Sequence, residues 1–175
     1  VKAESQGEGK GAIFTVSLPL LPDESPKLKD EQNYPTFLTT NSLPLTGVRV
    51  LVVDDDTDSR DFVAFVLEQD GASVIAVSSA DEALQTLAEV KPDVLVSDIS
   101  MPDMNGYMLI NQVRTWTPEQ GGQIIAIALT AFARNDDQQE ALKAGFQMHL
   151  AKPVNPDELI AVIVQLMEAK VSAIT

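Results

Sequence analysis

The 175-residue chain contains no cysteine and only one histidine, which excludes several kinds of site. Without cysteine it can form neither disulfides nor thiolate metal centres. Lysine and arginine are also scarce, 12 against 26 aspartates and glutamates, and the formal net charge of -14 opposes binding to nucleic acids or anionic membranes. No apolar run approaches the roughly 18 residues that a membrane-spanning helix needs. We therefore expect a soluble, cytoplasmic segment without nucleic-acid or membrane contacts.

Apolar residues make up 45% of the chain, which is enough for one continuous core, and the length fits one domain plus a tail. Between residues 20 and 46, four prolines stand among polar residues without helical or strand periodicity, a pattern typical of a linker. We predict a domain boundary near Thr46 and a compact domain over 47–172. Because the chain begins with Val1 rather than methionine, we interpret it as a piece of a longer protein.

From Val48 onwards, short apolar runs alternate with amphipathic stretches, which indicates βα units around a parallel sheet. Asp56, Ser79 and Asn155 precede three of the amphipathic stretches and are predicted to cap helices. The predicted strands span residues 48–53, 72–77, 93–97, 124–129 and 146–151. The first helix is predicted to present one apolar face made of Phe62, Val63, Val66 and Leu67. The predicted class is an α/β domain of five βα units.

Carboxylate, hydroxyl and ammonium groups follow four of these strands, at the point where each strand ends. Asp98 closes the third apolar run, and the triplet Asp54-Asp55-Asp56 follows the first. Thr130 and Lys152 come directly after the fourth and fifth strands. Because the carboxyl ends of parallel strands meet at one edge of the sheet, we expect these side chains to converge there.

Convergence of Asp54, Asp55 and Asp98 would bring three negative charges together. Each pair at about 4 Å costs roughly 1 kcal/mol in water and about 4 kcal/mol at an effective dielectric of 20. A hard divalent cation with oxygen ligands would neutralise them, and Mg²⁺ typically combines one or two carboxylates with waters and phosphate oxygens. The predicted cofactor is therefore Mg²⁺ or Mn²⁺.

Four motifs together resemble the receiver domain of two-component response regulators. They are Val53-Asp54-Asp55, Asp98 with Met101-Pro102 and Gly106, Leu129-Thr130-Ala131, and Lys152-Pro153. The resemblance covers roughly residues 47–169 and implies a flavodoxin-like (βα)5 three-layer sandwich, with a parallel sheet in the order 2-1-3-4-5. It implies a phosphorylation-dependent signalling switch rather than a turnover enzyme, one that catalyses its own phosphorylation and slow dephosphorylation.

The resemblance also implies a role for each residue at the phosphorylation site. Asp98 would be the phosphoacceptor, the nucleophile that takes a phosphoryl group from a kinase histidine. Asp55, Asp98 and the backbone carbonyl of Ser100 would be metal ligands, with Asp54 contributing directly or through water. Lys152 would contact a phosphoryl oxygen as a point charge.

Two further residues would read the phosphorylated state. The hydroxyl of Thr130 would donate to a phosphoryl oxygen once Asp98 is modified, because the new group adds about 1.5 to 2 negative charges on strongly accepting oxygens. His149 stands where the family usually has a tyrosine or phenylalanine that turns inward as the threonine moves. The chain departs from the family pattern there, and an imidazole could make the surrounding surface sensitive to pH near neutrality.

The first 19 residues resemble the end of the ATP-binding domain of sensor histidine kinases, in which a Gly-x-Gly stretch precedes a strand ending in Leu-Pro. The residues that match are Gly9, Gly11, Phe14, Leu18 and Pro19. The match implies the C-terminal part of a hybrid sensor histidine kinase, with a kinase remnant over 1–19, a linker over 20–46 and a receiver. We expect the strand in this remnant to have no sheet of its own and the chain not to bind ATP.

The implied partners are the histidine kinase core, a histidine phosphotransfer protein, or both, and the oligomeric state is left open. Two other functions stay open. A haloacid-dehalogenase-like, Mg²⁺-dependent phosphohydrolase would use Asp54 as its nucleophile, since Asp54-x-Asp56 follows an apolar strand. A pseudo-receiver would serve as an interaction module that is never phosphorylated. A covalent adduct on Asp98, rather than on Asp54 or on neither, would favour the receiver.

Overall fold

The computed structural model describes residues 2–5, 7, 11–15, 43–131 and 135–172, in two compact units, Val1–Leu38 and Thr39–Thr175. In the first unit, β1 (Lys2–Ser5) pairs antiparallel with β2 (Ala12–Thr15). The expectation that this segment has no sheet of its own was wrong, because a second short strand precedes the glycine-rich stretch. The predicted linker up to residue 42 lies outside the described residues, and the predicted domain boundaries stay predictions.

The second unit is built on a five-stranded parallel sheet in the order β4-β3-β5-β6-β7. Numbered from the first strand of this sheet, the order is 2-1-3-4-5, as predicted. The strands are β3 (Arg49–Val53), β4 (Ser73–Val77), β5 (Val94–Asp98), β6 (Ile125–Thr130) and β7 (Met148–Ala151). The helices are α1 (Thr57–Gln69), α2 (Ala80–Val90), α3 (Gly106–Arg114), α4 (Asn135–Ala144) and α5 (Pro156–Ser172), with one 3-10 turn at Pro118–Gln120.

Helices cover both faces of this sheet, which is why its central strands are apolar on both sides. One cluster of buried side chains joins the sheet to α1 and α5, through residues such as Leu67 and Ile163. A second cluster joins the opposite face to α2, α3 and α4, through residues such as Leu87 and Leu109. The predicted three-layer sandwich is therefore confirmed. Within the described part of the chain, no helix is both long and apolar enough to cross a bilayer.

Side-chain caps fix where the helices begin, as the sequence predicted. The Asp56 carboxylate accepts a hydrogen bond from the Ser59 backbone N–H, and Ser79 and Asn155 accept equivalent bonds three residues ahead. The prediction for the apolar face of α1 was wrong in one residue. Val63, Val66 and Leu67 are buried, whereas Phe62 is 46% exposed. Phe62 belongs instead to the lining of an open groove beside Lys152.

The residues just before the predicted boundary at Thr46 are packed against the rest of the second unit. Leu45 is fully buried, and its backbone N–H donates to the carbonyl of Asp70, at the end of α1. Gly71, which follows, has a positive φ of 93°, and a Cβ there would lie 2.9 Å from the Cβ of Leu43. The turn over 43–47 therefore closes the end of the core where the strands begin.

Candidate functional site

The carboxyl edge of the sheet brings together the three aspartates predicted to meet there. β3 ends immediately before Asp54 and Asp55, and β5 ends on Asp98. One carboxylate oxygen from each residue lies within 4.8 Å of the other two. Asp54 and Asp98 are buried and Asp55 is exposed. Three converging carboxylates with one side open to solvent fit a hard divalent cation such as Mg²⁺, which keeps several waters when bound.

Lys152 provides the positive charge in this cluster. Its Nζ donates to Asp54 Oδ2 at 2.7 Å and lies 3.2 Å from Asp98 Oδ1. The lysine is placed by β7, which ends at the preceding residue, and its backbone N–H donates to the carbonyl of Thr130 at 2.7 Å. The side chain is 21% exposed, whereas that of Asp54 is fully buried. One ammonium therefore connects two carboxylates that would otherwise repel each other.

The electrostatics of the cluster shift two pKa values upwards. Burial raises the pKa of Asp98, the nearby Lys152 charge and its hydrogen bond lower it in part, and the charge of Asp54 raises it further. Burial alone would lower the pKa of Lys152, but the hydrogen bond to Asp54 and the two carboxylate charges outweigh it and leave that pKa raised. Lys152 is thus held in its charged form, while ionised Asp98 is disfavoured in the folded protein.

Because the pKa of Asp98 is higher in the folded state than in the unfolded state, its protonation stabilises the fold. That stability is fully present below the unfolded pKa and is lost as the pH rises through the folded pKa. We therefore expect Asp98→Asn, which is neutral at every pH, to raise the melting temperature of the metal-free protein at pH 7. The gain should shrink as the pH falls into the acid range, and thermal melts in EDTA across that range measure it.

The control for this experiment is Asp61→Asn, which removes an equal charge at an exposed position of α1. It should leave the melting temperature nearly unchanged, because exposed charges are well solvated. An equal gain in both variants would mean that net charge, rather than burial of Asp98, limits stability. A loss of stability in Asp98→Asn would contradict the prediction.

The other predicted residues lie around this cluster. Thr130 ends β6 and is buried, directly beside β7 in the sheet. Ser100 is exposed, and its backbone hydrogen-bonds to the Asp98 carboxylate. His149 lies half-buried in β7, paired with Ala128, and its Nδ1 is buried with no hydrogen-bond partner among the described residues. The structure thus places Thr130 on the strand beside β5, His149 one strand further along on β7, and Ser100 in the loop after Asp98, and their roles stay predictions.

The loop after Asp98 is held by the start of α3. The Asn105 side chain caps that helix by accepting from the N–H of Met108, and the Gly106 N–H donates to the carbonyl of Ile99 at 3.0 Å. A Cβ on Gly106 would lie 2.4 Å from the backbone carbonyl oxygen of Asp98. Only glycine therefore lets the first turn of α3 pack directly on the backbone of Asp98.

Sequence reasoning missed two residues that hold Asp54. The hydroxyl of Ser59 donates to Asp54 Oδ2 at 2.7 Å, and the guanidinium of Arg60 donates from Nη1 to the Asp54 carbonyl at 2.8 Å. The backbone N–H of Asp56 donates to the other carboxylate oxygen, Oδ1. The only signal in the sequence is that Ser59 and Arg60 lie in the first turn of α1, one turn beyond the predicted cap. That turn faces the carboxyl edge of β3.

Comparison with known proteins agrees with this geometry. Residues 50–164, more than half of the chain, match the family of response regulator receiver domains. An uncharacterized 14.6 kDa protein from Leptolyngbya boryana is 48% identical over 121 residues, 69% of this chain and 91% of that protein. Phosphate regulon transcriptional regulatory protein PhoB from Escherichia coli K12 is 32% identical, over 68% of this chain and 51% of the regulator. Hybrid signal transduction histidine kinase D from Dictyostelium discoideum is 33% identical, over 74% of this chain and 9% of the kinase.

Solved structures show the same fold. Chemotaxis protein CheY4 of Vibrio cholerae superimposes with a TM-score of 0.63 at 30% identity, covering 67% of this chain and 97% of CheY4. A CheY-like response regulator receiver domain protein from Methanospirillum hungatei gives a TM-score of 0.65 at 28% identity, over 72% and 98% of the two chains. On the strength of the matched residues, the sheet order and the acid cluster, the chain belongs to the response regulator receiver domain family.

Proposed function

We propose that this chain is the phosphoacceptor receiver of a two-component phosphorelay, in which Asp98 takes a phosphoryl group from a kinase histidine in a Mg²⁺-dependent reaction. The observation that carries the proposal is the meeting of Asp54, Asp55 and Asp98 with the ammonium of Lys152. The oxygens could bind a cation, and the ammonium could bind an anion at the same place. The cation and the anion would both be bound next to the carboxylate of Asp98.

In the transfer, a carboxylate oxygen of Asp98 forms a P–O bond as the P–N bond to the donor histidine breaks, and the imidazole leaves with that electron pair. The transition state of phosphoryl transfer is loose, so the protein contributes mainly position and charge stabilisation. Lys152 Nζ, 3.2 Å from Asp98 Oδ1, would reach an oxygen of the arriving group by a short movement away from Asp54. The hydroxyl of Thr130 donates to another of its oxygens.

The residues that would hold the cation are Asp54, Asp55, Asp98 and the backbone carbonyl of Ser100. When bound, Mg²⁺ or Mn²⁺ supplies positive charge that offsets the negative oxygens of the donor and acceptor. Asp55 is exposed, so a cation could enter and keep water ligands on that side. The buried Asp54 and Asp98 provide the fixed part of the site.

Phosphorylation would change the charge at the edge of the sheet by about 1.5 to 2 units, enough to bias a local two-state element. Thr130 and His149 lie on the adjacent strands β6 and β7, and Thr130 pairs with Ala151, the residue before Lys152. The buried Nδ1 of His149 has no hydrogen-bond partner within the described part of the chain, which supports a role for this side chain in switching, because an inward or outward rotation would change its hydrogen bonding.

The partners we propose are a histidine kinase core, a histidine phosphotransfer protein, or both. A hybrid kinase as the parent protein is supported by the kinase-like residues of 1–19 and by the Dictyostelium relative, in which this chain spans 9% of the length. In that arrangement, residues 20–46 would link the kinase remnant to a receiver over 47–172, located in the cytoplasm.

Intact-mass measurement after incubation with acetyl phosphate and Mg²⁺ tests the proposal. We expect the wild type to gain the mass of one phosphoryl group, and both Asp98→Asn and an excess of EDTA to abolish that gain. The matched control is Asp103→Asn, an exposed aspartate in the loop after Asp98, which should retain the adduct. An adduct that survives in Asp98→Asn would contradict the assignment of the phosphoacceptor.

The same experiment separates the other two functions. In a haloacid-dehalogenase-like hydrolase the adduct would map to Asp54, but the carboxylate of Asp54 is fully buried and already accepts from Ser59, Lys152 and the N–H of Asp56. That engagement makes Asp54 a poor nucleophile and favours Asp98. A pseudo-receiver would form no adduct with acetyl phosphate or with any phosphorylated histidine donor.

A further inference from the structure

A serine hydroxyl on α1 shares the buried carboxylate of Asp54 with Lys152. Ser59 Oγ and Lys152 Nζ both donate to Asp54 Oδ2, each at 2.7 Å. The remaining oxygen, Oδ1, accepts from the backbone N–H of Asp56 at 3.0 Å. Three donors therefore fix the orientation of a carboxylate that has no access to solvent.

The hydroxyl of Ser59 is itself held in place. The backbone N–H of Ser59 donates to Asp56 Oδ1 at 2.8 Å, and Asp56 in turn donates its own N–H to Asp54. Asp54, Asp56 and Ser59 thus form a closed set of hydrogen bonds at the first turn of α1. None of these bonds involves Lys152, so they can hold Ser59 after Lys152 has left Asp54.

Lys152 cannot serve both of its contacts in every state. Its ammonium lies between Asp54 and Asp98, and it must move towards a phosphoryl oxygen if it is to bind one on Asp98. A divalent cation on the carboxylates also repels the ammonium, whereas it does not repel a neutral hydroxyl. When Lys152 leaves, Ser59 is the donor that still satisfies Oδ2, and a buried acceptor without a donor is costly.

We infer that Ser59 is a positioning residue that keeps Asp54 oriented and hydrogen-bonded when Lys152 turns away, and so favours the cation-bound and phosphorylated forms over the resting ion pair. The inference rests on the proposed function, since it concerns the same cation and the same phosphoryl group. In this role Ser59 acts through Asp54, the residue to which its hydroxyl donates.

Calorimetric titration of the metal-free protein with Mg²⁺ tests this role. Ser59→Ala should weaken the binding of Mg²⁺ about fivefold, the factor that corresponds to one net hydrogen bond. Ser59→Thr retains the hydroxyl and should restore the affinity. The matched control is Thr57→Ala, which removes a hydroxyl from the same turn that contacts Arg60 at 3.4 Å and not Asp54. It should bind Mg²⁺ as the wild type does.

A double-mutant cycle with Lys152→Met separates positioning from a general loss of structure. With the lysine absent, Ser59→Ala removes the remaining side-chain donor to Oδ2 from both the metal-free and the bound forms, so its effect on affinity should shrink. An unchanged fivefold effect in this background would overturn the mechanism of competition between Lys152 and the cation. Thermal melts confirm that each variant is folded at the titration temperature.

The outcomes distinguish this inference from the function on which it rests. If the wild type binds Mg²⁺ and forms the Asp98 adduct while Ser59→Ala has the same affinity for Mg²⁺, the role of Ser59 is refuted and the receiver function stands. If the wild type binds no Mg²⁺ and forms no adduct, the proposed function fails and the inference fails with it. A loss of affinity in Ser59→Ala that Ser59→Thr restores supports both.

Discussion

Replacing Lys152 with methionine is expected to destabilise the metal-free protein by about 3 kcal/mol, the lower end of what removing one partner of a buried ion pair costs. The fully buried Asp54 would lose its counter-ion, and Asp98 would lose the charge 3.2 Å away. Saturating Mg²⁺ should return most of that stability, because the cation replaces the ammonium. Denaturant unfolding with and without Mg²⁺ measures the effect, and adduct formation from acetyl phosphate should slow on the order of 100-fold.

The control for the lysine is Lys170→Met, which removes an equal charge at an exposed position of α5. It should change the free energy of unfolding by less than about 0.5 kcal/mol, as is usual for surface substitutions. Should metal-free Lys152→Met prove as stable as the wild type, the ion pair would not be what offsets the repulsion among the three aspartates. Some other positive charge would then have to neutralise the three aspartates in the metal-free protein.

Gly106→Ala, which adds a single methyl group near the site, is expected to reduce both the stability of the protein and the rate of adduct formation. The added Cβ would lie 2.4 Å from the carbonyl oxygen of Asp98 and 3.0 Å from the Cα of Ile99, so the start of α3 must move away from the end of β5. Overpacking of this kind costs about 3 kcal/mol. A displaced Asp98 should also accept a phosphoryl group on the order of 100-fold more slowly, because small misplacements of reacting groups are costly.

Gly122→Ala is the matched control, since it creates an equally severe clash far from Asp98. Its Cβ would lie 2.1 Å from the carbonyl oxygen of Trp116, in the turn that leads into the start of β6. We expect a similar loss in the free energy of unfolding but a wild-type rate of adduct formation at a temperature where the variant is folded. Equal rate losses in both variants would show that instability, and not the position of Asp98, slows the transfer.

The fold was predictable because local signals and the global pattern agree. Asp56, Ser79 and Asn155 are polar residues directly ahead of amphipathic stretches, and all three cap helices in the structure. The observed strands differ from the predicted ones by one or two residues at their ends, where hydrogen bonding rather than apolarity decides the limit. Strand order came from the family resemblance, since periodicity alone does not specify which strands pair.

The misses share a physical cause, which is contact between residues that no periodic pattern relates. Phe62 follows the apolar spacing of α1, but a position at the margin of a helical face can lie over a groove instead of the core. The bond from Ser59 to Asp54 depends on a side-chain rotamer at the junction of a strand and a helix. Leu45 lies between Pro44 and Thr46 in a stretch without helical or strand periodicity, so the pattern around it does not predict complete burial.

The candidate site was predictable at the level of which residues meet. Asp54, Asp55 and Asp98 converge because each follows a parallel strand, a consequence of sheet geometry. Which oxygen Lys152 binds could not be predicted, because Asp54 and Asp98 are both within its reach and the choice depends on distances of a few tenths of an ångström. The roles of these residues await the adduct and titration experiments.

The burial of Leu45 has a practical consequence for dissecting the protein. Its side chain belongs to the buried cluster that includes Val50 and Ala72, and burying a leucine contributes about 2 kcal/mol. A shortened polypeptide that starts at Gly47 would lack this side chain and leave a cavity at the edge where the strands begin. The aspartates at the opposite edge would still be present. Shortened chains should therefore keep residues 43–46. Otherwise a loss of stability from the missing Leu45 could be mistaken for the effect of removing residues further upstream.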